Sequence, residues 1–378
     1  MTSNELDPKH AALLDDFRDR RRAALSRIIS IVEDQRPGFR ALLTTLHPAI
    51  GHAHRIGVTG PPGAGKSTLT AGLIARYRER GETVAVIAVD PTSPFTGGAL
   101  LGDRIRMNEI SMDPGVFIRS MATRGSLGGL ALATKEVADV MDAFGFDRLI
   151  VETVGVGQSE LDVAAAADTT VVVLVPESGD GIQAMKAGLM EAADLFVINK
   201  ADRSGADRLA REVSMMLHLR SGSTLRNVPA HHGVDLRRVR VRDASGARTG
   251  AAGARAGGAN PAGASDGPDP VDSAQVAAPA DWEIPVLKTT AETGEGVAEL
   301  VAALDDHRAW LDRSGELSTR RRQRLAERVR EEVARALLTT AWVERGGAEA
   351  LDRALPDLEA GTTTPYDVAA RIVRGDGA

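Results

Sequence analysis

The sequence predicts an α/β protein: an open, mostly parallel sheet flanked by helices, with a helical segment before it and a helical arm after it. Three observations carry that prediction. Five β-branched, almost continuously apolar runs, RIGVTG, TVAVIAVD, FDRLIVET, TTVVVLVP and DLFVINK, follow one another with helix-length stretches between them. Runs of that kind mark strands buried on both faces. The first run leads into the bare stretch GPPGAGKST and then a helical pattern. Finally, both ends of the chain show helical periodicity, with apolar side chains recurring every three or four residues.

Taken in order, residues 1–50 form the first helical segment, where Leu25, Ile28, Ile29 and Val32 make one apolar face. Residues 51–304 form the sheet-bearing domain. Within it, residues 221–280 have almost no large apolar side chain, a composition that cannot offset the entropy of ordering. They are expected to be a disordered Gly/Ala-rich insertion, because WEIPVLKTTAETGEG then resumes the strand pattern. Residues 305–378 are helical again, with Leu325, Val329, Val333 and Leu337 at four-residue spacing on a charged helix. Such a stripe has to pack on its own domain or on a second copy. The basic run Arg320 to Arg322 reads as a solvated surface.

Composition narrows the function. The 378 residues are 43% hydrophobic and 26% charged, ordinary for a globular protein. With no cysteine, disulfides, thiolate metal sites and thiol nucleophiles are excluded. The net charge of -6 gives no support to nucleic-acid binding. No apolar run is long enough to span a bilayer and the first residues are too polar for a secretory signal, so no membrane partner and a cytoplasmic location are expected.

The chemistry begins at Gly60. Gly60, Pro61, Pro62, Gly63, Ala64, Gly65, Lys66, Ser67 and Thr68 fit G-x-x-x-x-G-K-S/T between a strand and a helix. Glycines there let the backbone N–H groups converge on phosphate oxygens, and the helix N-terminus adds its dipole. This is a P-loop, with Lys66 expected on the β- and γ-phosphates and Ser67 on Mg²⁺. The base is named by Asn199, Lys200 and Asp202, an N-K-x-D after a strand. A carboxylate can accept from both guanine N1–H and the 2-amino group, donors that adenine lacks. GTP and GDP are therefore the expected nucleotides, with Lys200 packing along the ligand, Asn199 bracing the site, and Thr290 and Ala291 offering a backbone contact to guanine O6. For the metal, Glu152 ends a strand three residues before Gly155, whose N–H would sense the γ-phosphate. Asp90 ends the preceding strand and Asp103 sits in a glycine-rich loop. Both acids can approach Mg²⁺. No glutamine follows Gly155, so turnover by the isolated protein is expected to be slow.

GVTGPPGAGKST, AVDPTSPFTGGALLGDRIRM, VETVGVGQSE and PESGDGIQAMKAGLMEAADLFVINKAD, together with the helical flanks, resemble the MeaB/ArgK family. The likeness covers about residues 15–220 and 281 onward. These are GTPase chaperones of adenosylcobalamin-dependent acyl-CoA mutases, chiefly methylmalonyl-CoA mutase. The resemblance implies a P-loop fold and a GTP-hydrolysing chaperone that gates cofactor loading or protects such a mutase. It implies that Lys66, Asp90, Asp103 and Glu152 serve catalysis, the three acids with Ser67 at Mg²⁺. It also places Asp180 to Lys186 in a nucleotide-responsive segment, with Lys186 among the catalytic candidates. A homodimer formed through the C-terminal arm is a further implication. The insertion departs from the family pattern. A P-loop kinase of a small molecule is the first alternative, and N-K-x-D argues against its ATP. A metal-delivery GTPase is the second, and it would need thiols or clustered histidines. A signal-recognition-type GTPase would need a basic RNA-binding module.

Overall fold

In every β-α unit the chain leaves a buried strand, turns over the sheet's carboxyl edge and returns along a helix. A computed structural model describes residues 6–91, 112–123, 129–153, 159–177, 187–221 and 281–375. Three helices come first, α1 (Pro8–Arg18), α2 (Arg22–Glu33) and α3 (Phe39–Leu46), then β1 (His54–Thr59), α4 (Lys66–Glu79), β2 (Val84–Pro91) and β3 (Val116–Thr123). They are followed by α5 (Gly129–Phe144), β4 (Arg148–Thr153), α6 (Ser159–Ala166), β5 (Thr169–Leu174), α7 (Ala187–Ala192), β6 (Leu195–Ile198) and α8 (Ala206–Ser221). After the insertion come β7 (Val286–Lys288), α9 (Val297–Ser314), α10 (Glu316–Thr339), α11 (Gly347–Glu359) and α12 (Pro365–Arg374). The chain divides into two units, Met1–Met215 with Asp281–Ala378, and Met216–Ala280. Of the second, only the end of α8 is described.

The seven strands pair in the order β3-β2-β4-β1-β5-β6-β7, every pair parallel. β1 sits where the winding reverses, and in open sheets ligands bind outside the carboxyl ends at that switch point. Alternation along each strand divides the core in two. On β2, Ala85, Ile87 and Val89 face a cluster built from α1, α2, α3 and α5, where Leu25, Ile28, Ile29 and Val32 are fully buried. Val84 and Val86 face the opposite cluster, with Leu69, Leu73 and Ile74 of α4 and Leu300, Val301 and Leu304 of α9. The predicted apolar face of the first segment is therefore one lid of the sheet. Each such aliphatic side chain contributes about 1.5–3 kcal/mol by leaving water.

β3 is a strand that the sequence pattern does not announce. Arg119 and Ser120 break its apolar run, and residues 118–120 are only half-buried. As an edge strand it needs one covered side, and Arg119 reaches back to Glu33 of α2. The sequence reading of Arg320 to Arg322 as solvated surface also changes. Arg320 donates to Asp194 at 2.9 and 3.0 Å, and Arg321 donates to Asp168 at 2.8 Å. Arg324 pairs with Asp168 as well. These aspartates stand before β6 and β5, so the start of α10 is fastened to the amino ends of the strands. Further along, Leu325, Val329, Val333 and Leu337 are 46–65% exposed, an apolar stripe without cover among the described residues. No helix among the described residues is long and apolar enough to cross a membrane.

Asp168 is fully buried. Burial opposes its charge, yet the hydrogen bonds and charges of Arg321 and Arg324 outweigh that and hold its carboxyl well below the usual range. A depressed carboxylate stabilises the fold above its unfolded pKa of 3.8, and that contribution is lost as pH falls toward the folded value. Asp168→Ala leaves the part-buried guanidinium groups of Arg321 and Arg324 without their counter-charge and is expected to cost about 3 kcal/mol at pH 7. Urea unfolding checks this, and the gap between variant and wild type should narrow below about pH 4. An unchanged midpoint at pH 7 would contradict the buried lock.

Candidate functional site

The loop between β1 and α4 is shaped by what its glycines must avoid. Gly60 has φ 140°, and a Cβ there would stand 2.1 Å from the Val173 carbonyl oxygen. Gly65 has φ 83°, and a Cβ would lie 2.4 Å from Asn199 Nδ2. Both positions therefore exclude side chains, through backbone conformation and through neighbours. Gly65 then caps α4, whose first residues are Lys66 and Ser67, so the loop N–H groups and the helix N-terminus lie together.

Lys66 is 5% exposed, and its Nζ donates to the carbonyls of Gly60 and Pro61 at 2.8 and 2.9 Å. The ammonium is thus folded back across its own loop. Ser67 Oγ donates to Glu152 Oε1 at 2.5 Å. Register explains that meeting: Val58 of β1 pairs with Glu152 of β4, so a side chain in the first turn of α4 overlies the end of β4. On the other side of β4, Ala88 pairs with Glu152 and Val89 with Thr153, which puts Asp90 one step beyond, at the same sheet edge. Three adjacent strands thus deliver the P-loop, Glu152 and the Asp90 backbone to one place. The Asp90 side chain, Asp103, Gly155 and Lys186 lie outside what is described.

Asn199 ties the P-loop to the segment after β7. Its Nδ2 donates to the Ala64 carbonyl at 2.8 Å, and its Oδ1 accepts from Ala291 N at 3.0 Å and Thr289 Oγ1 at 3.1 Å. It is buried and joins three parts of the chain: the end of β6, the P-loop and the segment just after β7. Thr290 N donates to the Glu295 carbonyl and closes that turn. Lys200 has φ 56°, a left-handed conformation costly for a side-chain-bearing residue, and it leaves Asp202 exposed beside the turn. Next to Asp202, Arg203 pairs with Glu177, and that hydrogen bond lowers the Glu177 carboxyl.

Two oxygen groups in contact, an ammonium over a glycine loop and a buried amide joining two loops form an arrangement with a known counterpart. A family model described as methylmalonyl-CoA mutase-associated GTPase MeaB matches residues 25–345. The chain belongs to the MeaB family. It is a P-loop GTPase, and nucleotide binding belongs to that fold. A Pyrococcus abyssi protein named as a GTPase is 41% identical over 364 residues, covering 96% of this chain and 95% of that one. The mitochondrial methylmalonic aciduria type A homolog of Caenorhabditis elegans is 39% identical over 211 residues, 52% of this chain and 53% of that one. A solved structure described as a LAO/AO transport system kinase covers 98% of both chains with 25% identity and a TM-score of 0.62.

Of the candidates in this MeaB-family chain, the structure brings together Gly60 to Thr68 with Glu152, and Asn199 with Ala291. Thr290 is buried in the same turn. Sequence reasoning missed Thr289, 1% exposed, whose hydroxyl fixes the Asn199 amide. The doubled threonine of KTTAE was its visible signal. The Arg203–Glu177 pair was also missed, since no local pattern joins two residues on separate strand ends.

Proposed function

We propose that this GTPase gates cofactor loading to, or protects, an adenosylcobalamin-dependent acyl-CoA mutase, methylmalonyl-CoA mutase being the first candidate. The observation that carries this reading is the match of residues 25–345 to a family described by its association with that enzyme. In this reading Gly60 to Thr68 cradle the phosphates, with Lys66 leaving its loop carbonyls for the β- and γ-oxygens. Asp202 reads guanine, Lys200 packs along the nucleotide, and Thr290 with Ala291 flank the base. Gly155 senses the γ-phosphate, and Lys186 acts from the nucleotide-responsive segment.

Mg²⁺ fits the donors present. Ser67 Oγ and Glu152 Oε1 are hard oxygen ligands already in contact, and the carboxylate supplies the negative charge a small dication prefers. Ser67, Glu152, Asp90 and Asp103 would hold it, directly or through water. The metal would neutralise charge on the transferring phosphoryl group. The protein's own part is to orient the triphosphate and exclude misplaced water. A homodimer joined through the apolar stripe of α10 belongs to the same proposal, because Leu325, Val329, Val333 and Leu337 lack cover among the described residues.

The kinase reading keeps one support, the description of the solved structure that this chain resembles. GTP turnover measured with and without the mutase from the same organism separates the two. Stimulation of at least about tenfold is expected, the direction in which partners that fix a catalytic group act on GTPases. Unchanged turnover with no co-elution would remove the mutase. A phosphorylated small-molecule product formed from γ-labelled nucleotide would favour the kinase.

A further inference from the structure

At the amino ends of the strands, opposite the P-loop, lies a cavity of about 270 Å³ beneath α10. Five cationic side chains line it: Arg55, Lys135, Arg321, Arg324 and Arg328. Two carboxylates share the wall, Asp139 and Asp142. Both are fully engaged. Asp142 accepts from the backbone N–H groups of Gly51, His52 and Ala53 at 2.9, 3.0 and 3.0 Å and from Arg55 Nη2 at 2.8 Å. Asp139 accepts from Arg55 Nη2 at 2.7 Å and from Arg328. Two more carboxylates stand behind the wall, Asp168 on Arg321 and Arg324 and Glu331 on Lys135.

Even with those two included, cations outnumber carboxylates among the described residues, and the unused capacity open to the cavity is that of donors, whereas Glu331 Oε2, the carboxylate oxygen left without a partner, is sealed from solvent. Arg55 Nε and Nη1 and Arg328 Nε and Nη2 meet no protein acceptor among the described residues, and none of the four is sealed from the cavity or solvent. Guanidinium groups only donate, and an acceptor of opposite charge is the partner they bind best. The excess is felt at Arg324. Burial, helped by the nearby charges of Arg55 and Arg321, pulls its pKa below the ordinary arginine value despite Asp168. The rest of the lining includes Ile50, Ala166 and Leu325, which suit a short apolar body.

We infer that this cavity binds a small organic anion, an oxyanion head on the arginines with a short aliphatic body against Ile50, Ala166 and Leu325. The site is separate from the nucleotide. β1 alone runs from His54, at the cavity's end, to Thr59, at the P-loop, a rise of about 16 Å. Its walls come from α5, α6, β1 and α10, so an occupant would bridge the arm to the sheet.

The full chain, saturated with GDP so that the P-loop is filled, is titrated calorimetrically with butyrate, inorganic phosphate and butyramide. Thermal midpoints are followed in parallel, since a ligand of the native state raises them. Butyrate is expected to bind and butyramide not to. Arg328→Gln and Leu325→Glu should each weaken butyrate by about tenfold or more, with GDP affinity unchanged. Arg328 loses a single carboxylate contact on substitution and keeps the proposal testable if the Leu325 variant folds poorly. No butyrate binding at about 10 mM would overturn the inference, as would equal binding in Arg328→Gln or equal binding of butyramide. Phosphate binding without butyrate would overturn the organic anion and leave an inorganic one.

Discussion

Asp202→Asn is expected to weaken GTP by roughly a hundredfold and to turn the protein toward xanthosine triphosphate. In the proposed site the wild-type carboxylate would accept from guanine N1–H and from the 2-amino group, two charge-assisted bonds together worth about 3 kcal/mol at a partly open site. An asparagine amide presents a donor toward the 2-amino group, which then has no acceptor. Xanthine carries an oxygen at that position and accepts instead. The surroundings of Asp202 make this a clean substitution. The side chain is exposed, while the neighbouring loop is held by Asn199, which bonds Ala64, Thr289 and Ala291 without using Asp202. Calorimetric titration of both nucleotides on both proteins measures it. Equal GTP affinity in variant and wild type would take Asp202 out of the base site.

Lys66→Ala should lower GTP hydrolysis by about a thousandfold, the scale on which losing a fixed donor at developing charge acts. The same variant should erase any difference between the GTP and GDP forms in affinity for the mutase. A partner that favours one nucleotide state must see its own affinity change with the nucleotide, and a protein that no longer grips the γ-phosphate has one state to offer. Lys66 also bridges the carbonyls of Gly60 and Pro61, so its removal loosens the empty loop. Thermal unfolding with GDP bound therefore accompanies the kinetics. Near-wild-type hydrolysis, or a preserved nucleotide-dependent difference in mutase affinity, would show that Lys66 is not the group that reads the γ-phosphate.

Much of the fold was legible because it is written in local pattern. Strands buried on both faces need unbroken β-branched runs, and all five such runs named from the sequence are strands. The P-loop was legible for a different reason. Gly60 and Gly65 occupy backbone conformations that other residues adopt at a cost, so chemistry and sequence coincide there. β3 was not legible, because Arg119 and Ser120, on opposite faces of a half-buried edge strand, interrupt its apolar run. The partners of the arm were also hidden. Nothing in the run from Arg320 to Arg324 distinguishes a solvated basic helix from one clamped on Asp168 and Asp194, well over a hundred residues earlier in the chain.

By itself, then, the sequence determined the strands and the glycine loop between β1 and α4, since each depends on neighbours a few residues apart and on restrictions that single residue types impose. The tertiary structure alone decided three other things. It set Ser67 against Glu152, it made Asn199 the joint between the P-loop and the turn after β7, and it gathered cations from α5, β1 and α10 around one cavity. Those meetings depend on strand register and on the order β2-β4-β1, in which β4 enters between two strands that precede it in the chain. Parallel pairing across such crossovers is settled by how whole faces pack, and no short window of sequence contains that information.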